Sequence, residues 1–134
     1  ICRYIADTAG ATALLPAAGT LARYRVEEWQ NYITSELHKS FSPLFNPAFP
    51  ADGKAVVSAG LRKKFEWLSS QLEGKAYLTG DTFTVADAYL FVVTNWSKFV
   101  GLDLSDLADL QAFQQRVAAR PAVQAALKAE GLIA

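Results

Sequence analysis

Residues 84–98 decide the architecture, because this segment is apolar on almost every side of a helix. Its apolar residues are Val85, Ala88, Tyr89, Leu90, Phe91, Val92, Val93 and Trp96. A surface helix needs only one apolar stripe, whereas a helix that is apolar all round must be surrounded by other elements. The segment is too short for the ~20 residues of a membrane span and contains Asp87. It therefore predicts a helix buried at the centre of a bundle.

The four residues Thr84-Val85-Ala86-Asp87 carry a signal for the start of this helix. Thr84 as the N-cap can accept a hydrogen bond from the backbone of Asp87, while the Asp87 carboxylate reaches back to the backbone N–H of Thr84. A buried helix cannot satisfy its first N–H groups with water, so loss of this capping box should cost roughly 1–2 kcal/mol. The alternative, a catalytic acid or metal ligand at Asp87, is disfavoured because the cap accounts for both residues.

The rest of the chain also has helical spacing, and strand signals are nearly absent. We expect a long helix over residues 20–42 that ends or kinks at Pro43, because proline disfavours helical geometry in the residue before it. A loop over 46–53 separates it from an amphipathic helix over 54–72. Two shorter helices are expected over 105–120 and 121–131. The predicted fold class is all-α.

The beginning of the chain predicts an incomplete element. Ile1, Tyr4 and Ile5 have helical spacing, but the chain starts at Ile1 and contains no methionine. We therefore expect residues 1–7 to be the tail of a helix that belongs to a preceding part of the protein. Residues 8–17 would be a connector, and residues 18–134 a single helical bundle.

The balance of charge excludes several classes of partner. Thirteen basic residues match thirteen acidic ones, so no excess positive charge is present to bind a nucleic acid backbone. We expect no membrane association, since no secretion signal or spanning segment is evident. The single cysteine, Cys2, rules out an internal disulfide and favours the cytoplasm.

Polar residues line one face of the predicted long helix. Asn31, Ser35 and His38 recur at spacings of four and three, and Glu36 and Lys39 flank them. His38 is the only histidine, and with no nucleophile, second histidine or carboxylate pair beside it, neither a catalytic triad nor a metal site can be assembled. It is therefore either an ordinary solvated histidine or part of a site that borrows groups from elsewhere.

The aromatic residues near these positions leave two interpretations open. Phe41, Phe45 and Trp96 can belong to the core or line an apolar pocket, whereas Tyr89 is assigned to the core. Cys2 is interpreted as a small apolar residue without a reactive role.

Four segments resemble bacterial glutathione transferases of the beta class. They are ICRYIAD at 1–7, EWQNYITSELHKSFSPLF at 28–45, DTFTVADAYL at 81–90 and RPAVQAALKAEGL at 120–132. The resemblance runs over essentially the whole chain. The segment with Thr84 and Asp87 is shared across the wider superfamily, whereas the run from Ser35 to Lys39, followed by Phe41 and Pro43, points to the beta class.

This resemblance implies the C-terminal helical domain of a dimeric cytoplasmic enzyme that conjugates glutathione to apolar electrophiles. A thioredoxin-like N-terminal domain would be missing from this chain, together with the cysteine that lies close to the glutathione sulfur; Cys2 does not match that cysteine. The resemblance implies that His38 and Lys39 lie beside the reactive sulfur. It implies glutathione contacts at Asn31, Ser35 and Glu36 as well. Phe41, Phe45 and Trp96 would surround the electrophile.

Two other functions remain open at this level. A cysteine near glutathione can also support thiol–disulfide or peroxide chemistry. The fold can also serve as a non-catalytic scaffold or ligand-binding module, because fold does not dictate function.

Overall fold

The chain folds into α-helices joined by turns, and the computed structural model describes residues 1–134. The α-helices are α1 (Cys2–Thr8), α2 (Leu21–Tyr32), α3 (Lys39–Phe45), α4 (Ala51–Leu72), α5 (Val85–Asn95), α6 (Ala108–Ala118) and α7 (Pro121–Ala129). A π-helical segment, Ile33–His38, joins α2 to α3 without a break, and a 3-10 turn, Trp96–Phe99, follows α5. The only β-type pairing is one isolated bridge between Tyr77 and Gly80. The predicted all-α class is confirmed.

Helix α5 lies at the centre of the bundle, as its sequence predicts. It contacts α1, α2, the π-helical segment and α6. Its buried residues are Val85, Ala86, Asp87, Leu90, Phe91, Val93 and Thr94. The α-helix ends at Asn95 rather than continuing to residue 98, since the chain tightens into the 3-10 turn there.

The start of α5 is held by the buried carboxylate of Asp87. Asp87 is 0% exposed, and its Oδ2 accepts hydrogen bonds from the backbone N–H (2.8 Å) and the hydroxyl (3.0 Å) of Thr84. Its Oδ1 accepts from the backbone N–H of Leu78 at 2.8 Å. The predicted capping box is present, and it also holds the preceding turn to the helix. Burial raises the pKa of Asp87, while these hydrogen bonds act in the opposite direction.

The first twenty residues pack against the bundle. Ala6 and Leu15 are buried, and the carbonyl of Leu14 accepts a hydrogen bond of 3.0 Å from the N–H of Val85. Two ion pairs tie α1 to α2: Arg23 with Asp7 (2.7 Å) and Arg3 with Glu27 (3.1 Å). Helix α1 extends one residue beyond the expected boundary at residue 7. Its assignment to a preceding domain stays a prediction.

Several expected helix boundaries are wrong, including the start of α6, which lies at Ala108 rather than residue 105 because residues 105 and 106 form a turn. The long helix continues through Pro43 to Phe45. A proline in the last turn of a helix removes only one backbone hydrogen bond, so the helix can include Pro43 before it ends. Helix α4 starts at Ala51 rather than residue 54, with Pro50 as its N-cap and the N–H of Lys54 donating to the carbonyl of Pro50 at 2.9 Å.

Gly53 ends the predicted loop but is helical in the structure. Here it lies in the first turn of α4 and allows a close approach of another side chain. A Cβ atom at this position would lie 2.7 Å from the ring of Phe49, so any larger side chain would displace that ring.

Replacement of the buried carboxylate tests the role of Asp87. Asp87→Asn keeps the shape but turns an –NH₂ group toward donors that need an acceptor. We expect the free energy of unfolding to fall by about 1–3 kcal/mol, measured by urea denaturation. Asp81→Asn, at an exposed position just before α5, is the matched control and should unfold as the wild type does. Equal stability of both variants would contradict this role.

Candidate functional site

The π-helical segment Ile33–His38 places neighbouring polar residues on different sides of the long helix. Ile33 and Leu37 are fully buried and fix the segment to the core. Thr34 and His38 lie against α5, whereas Glu36 lies against α4. A π-helical turn is a rare insertion that is frequently found at functional sites.

His38 is held on one side by Tyr89. The Nδ1 atom of His38 lies 2.6 Å from the hydroxyl oxygen of Tyr89, and Thr34 Oγ1 lies 3.3 Å from the same oxygen. The ring of Trp96 packs edge-on against His38, with ring centroids 4.7 Å apart. Because Nδ1 is occupied, Nε2 is the ring nitrogen left to contact a ligand.

Tyr89 is the site residue that the sequence analysis missed. Its ring packs against the core, as expected, but its hydroxyl reaches the surface beside His38. A tyrosine on a buried helix needs a polar partner for its hydroxyl. That requirement is the signal in the sequence that pointed to a role beyond packing.

The three aromatic residues proposed for the apolar site form one cluster with different exposures. Trp96 packs against Phe41 and Phe45 with centroid distances of 5.7 and 6.1 Å. Phe45 is 49% exposed and Trp96 is half-buried, whereas Phe41 is 0% exposed because Phe65 and Trp96 cover it. Direct contact between Phe41 and a ligand is therefore wrong for this structure. Phe41 supports the two rings that are accessible.

Glu36 does not share a surface with His38. Its carboxylate forms an ion pair of 2.8 Å with Lys64 of α4, and Lys64 also donates to the Glu36 carbonyl at 3.1 Å. Residues two apart on a helix point to nearly opposite sides, so the ion pair and the histidine flank the helix. The hydrogen bond and charge of Lys64 lower the pKa of Glu36.

The remaining polar residues lie on the exposed face between these two sides. Asn31, Ser35 and Lys39 are all exposed. The hydroxyl of Ser35 donates to the carbonyl of Asn31 at 3.0 Å. Cys2 is also exposed, and the site does not include it.

A second concave surface lies between α2 and α4. It is a groove of about 470 Å³ in which Trp29, Tyr32 and Trp67 pack together, with centroids 4.8–5.9 Å apart. Arg25, Glu28, Gln71 and Lys75 also line this aromatic groove. Trp67 is 46% exposed, so much of this aromatic surface is uncovered.

Two broader searches of the structure complete this description. No group of three or more His, Cys, Asp and Glu side chains is arranged to hold a metal ion. None of the helices has both the length and the apolar character that crossing a membrane requires.

The ion pair between Lys64 and Glu36 predicts a defined pH dependence. The pKa of Glu36 is lower in the folded chain than in the unfolded chain. The ion pair therefore stabilises the fold above the ordinary pKa of glutamate, about 4.3. That contribution is lost as the pH falls through the lowered pKa. Lys64→Gln should return the pKa of Glu36 toward its ordinary value, measured by NMR titration of the carboxyl carbon. Lys63→Gln, at the exposed neighbouring lysine, should leave it unchanged. An equal pKa of Glu36 in the two variants would show that Lys64 does not lower it.

Comparisons with known proteins agree on one family. Residues 32–121 match the model of the glutathione S-transferase C-terminal domain. The chain is 46% identical over 132 residues to glutathione S-transferase GstA of Escherichia coli O157:H7. The aligned region covers 98% of this chain and 66% of that protein.

Solved structures show the same similarity. BphK, a bacterial glutathione S-transferase solved as a ternary complex, is 51% identical with a TM-score of 0.92, over 96% of this chain and 64% of that one. A sphingomonad glutathione S-transferase complexed with glutathione is 42% identical with a TM-score of 0.92, over 98% and 66%. The chain thus spans about two thirds of the length of these relatives.

Proposed function

This chain belongs to the glutathione S-transferase family through its C-terminal domain, and we propose that it forms one wall of a site that conjugates glutathione to apolar electrophiles. The observation that carries this proposal is the position of His38, which Tyr89 and Trp96 hold beside an accessible aromatic surface. A polar group for a sulfur atom and an apolar surface for a second substrate are thus adjacent.

The residue types suit the chemistry of a thiol nucleophile. The thiolate of glutathione, rather than the thiol, attacks an electrophilic carbon. The positive charge of Lys39 and a hydrogen bond from His38 both favour the thiolate. Each unit by which they lower the thiol pKa corresponds to ~1.4 kcal/mol. The thiol proton passes to water, the sulfur–carbon bond forms, and the leaving group departs with its electron pair.

The glutathione molecule would extend from His38 along the exposed face of the long helix. Asn31 and Ser35 offer polar groups there for its peptide backbone and carboxylates. Glu36 would take part only from the opposite side, where it pairs with Lys64. Phe45 and Trp96 would contact the electrophile, with Phe41 beneath them.

We further propose that a thioredoxin-like domain in the same chain supplies the other wall. Ile1, Tyr4 and Ile5 of the first turns expose apolar surface that such a domain would cover. The proposal is also supported by the share of the relatives that this chain spans, about two thirds. The remaining assignments are a homodimer, for which the aromatic groove offers uncovered surface, and a cytoplasmic location, which the single cysteine favours.

Substitution of the two residues beside the sulfur tests the proposed activity. In the protein that joins this chain to its thioredoxin-like domain, His38→Ala and Lys39→Ala should each lower kcat/KM about tenfold with glutathione and a chlorodinitrobenzene. Lys63→Ala, at an exposed lysine on α4, is the matched control. Thermal unfolding should be unchanged, since His38 and Lys39 are exposed.

Two outcomes would count against this proposal. Wild-type kinetics in both variants would remove His38 and Lys39 from the mechanism. Robust turnover by the 134-residue chain alone would show that no second wall is needed. We expect negligible turnover from that chain.

The apolar surface is tested by removing its most exposed ring. Phe45→Ala should raise the KM for an apolar electrophile about fivefold, as expected when roughly 1 kcal/mol of apolar contact is lost, with the KM for glutathione unchanged. Val56→Ala removes exposed apolar surface from α4 and is the control. A rise in the KM for glutathione instead would place Phe45 at the other substrate.

A further inference from the structure

We infer that Tyr89 is a positioning residue, which fixes the tautomer of His38 so that the Nε2–H group points away from Tyr89 and toward a bound sulfur. This inference rests on the proposed function for the identity of the sulfur, which is that of glutathione. The arrangement of Tyr89 and His38 themselves can be tested without any activity.

The direction of the hydrogen bond follows from the chemistry of its two partners. The Nδ1 atom of His38 lies 2.6 Å from the Tyr89 oxygen, so one hydrogen bond joins the two atoms. A hydroxyl can donate or accept, and so can a ring nitrogen of histidine, depending on its tautomer. The phenol is the more acidic partner and the imidazole nitrogen the more basic one. The Tyr89 hydroxyl therefore donates to Nδ1.

The neighbouring hydroxyl is compatible with this direction. Thr34 Oγ1 donates to the carbonyl of Gln30 at 2.9 Å, which is the usual bond of a threonine within a helix. It lies 3.3 Å from the Tyr89 oxygen and so competes little for the Tyr89 proton. The single proton of Tyr89 is thus available for His38.

The tautomer of His38 follows from this bond. In a neutral imidazole one nitrogen carries the proton and the other accepts. Because Nδ1 accepts from Tyr89, the proton of neutral His38 is on Nε2. Nε2 is then a donor suited to a thiolate and cannot act as the base that removes the thiol proton. The sulfur proton goes to water, and His38 only hydrogen-bonds to the charge that remains.

Both partners of this bond are fixed by the bundle. Tyr89 belongs to α5, whose neighbouring residues Leu90 and Phe91 are buried. His38 ends the π-helical segment, one residue after the fully buried Leu37. Trp96 covers another side of the imidazole. The ring is therefore held in place before a ligand arrives, which is the condition for an effective hydrogen bond to a reacting atom.

The tautomer can be measured directly, because His38 is the only histidine of the chain. In the ¹⁵N-labelled 134-residue chain, the two imidazole nitrogen signals at a pH where the ring is neutral should assign the proton to Nε2. Tyr89→Phe should move both signals toward the average of the two tautomers. Tyr32→Phe, which removes a hydroxyl on the α4 side of the same long helix, should leave them unchanged.

The kinetic measurement separates this inference from the proposed function. In the protein with its thioredoxin-like domain, Tyr89→Phe should lower kcat with a chlorodinitrobenzene about three- to tenfold and leave the KM for that electrophile unchanged. If His38→Ala lowers turnover and Tyr89→Phe does not, positioning by Tyr89 is wrong and the proposed function stands. If neither variant lowers turnover, the role of His38 beside the sulfur is wrong, and that part of the proposed function falls together with the inference.

The NMR measurement alone tests whether Tyr89 fixes the tautomer of His38. A proton on Nδ1 in the wild-type chain, or unchanged nitrogen signals in Tyr89→Phe, would overturn the inference. The measurement on the wild type needs no variant, so it remains decisive even if Tyr89→Phe were to unfold.

Discussion

The hydrogen bonds to the buried carboxylate of Asp87 set the position of the central helix, and the site depends on that position. The carboxylate accepts from the backbone of Leu78 and from both donors of Thr84, so one side chain joins the preceding turn to the start of α5. A buried carboxylate is expensive to desolvate unless donors surround it. Two residues after Asp87, the same helix presents Tyr89 to His38, and the helix ends at Asn95, directly before Trp96.

Much of the bundle could be predicted from the sequence because its signals are local. Neighbouring residues alone indicate that the segment 85–93 is apolar on almost every side, that a capping box precedes it and that α4 is amphipathic. Contacts between residues far apart in the sequence do not follow from such local signals. Phe41 is covered because Phe65 and Trp96 reach it from other elements.

The candidate site was predicted in composition but not in arrangement. Spacing placed Ser35 and His38 on one face of the long helix, with Glu36 flanking that face. Lys64 draws Glu36 toward α4, and Tyr89 holds His38 toward α5. These two partners lie 28 and 51 residues away along the chain. No local pattern carries information at that separation.

The π-helical segment has a consequence for how this part of the molecule can change its length. A π-helical turn holds one residue more than an α-helical turn, so it behaves as an insertion absorbed within a continuous helix. Loss of one residue between 33 and 38 would restore regular α-helical pairing and leave the helix on either side facing the same way. Phe41 and Phe45 would keep their positions, and only the directions of the side chains within the segment would change. The extra residue thus sets the directions of Glu36 and His38 without disturbing the core.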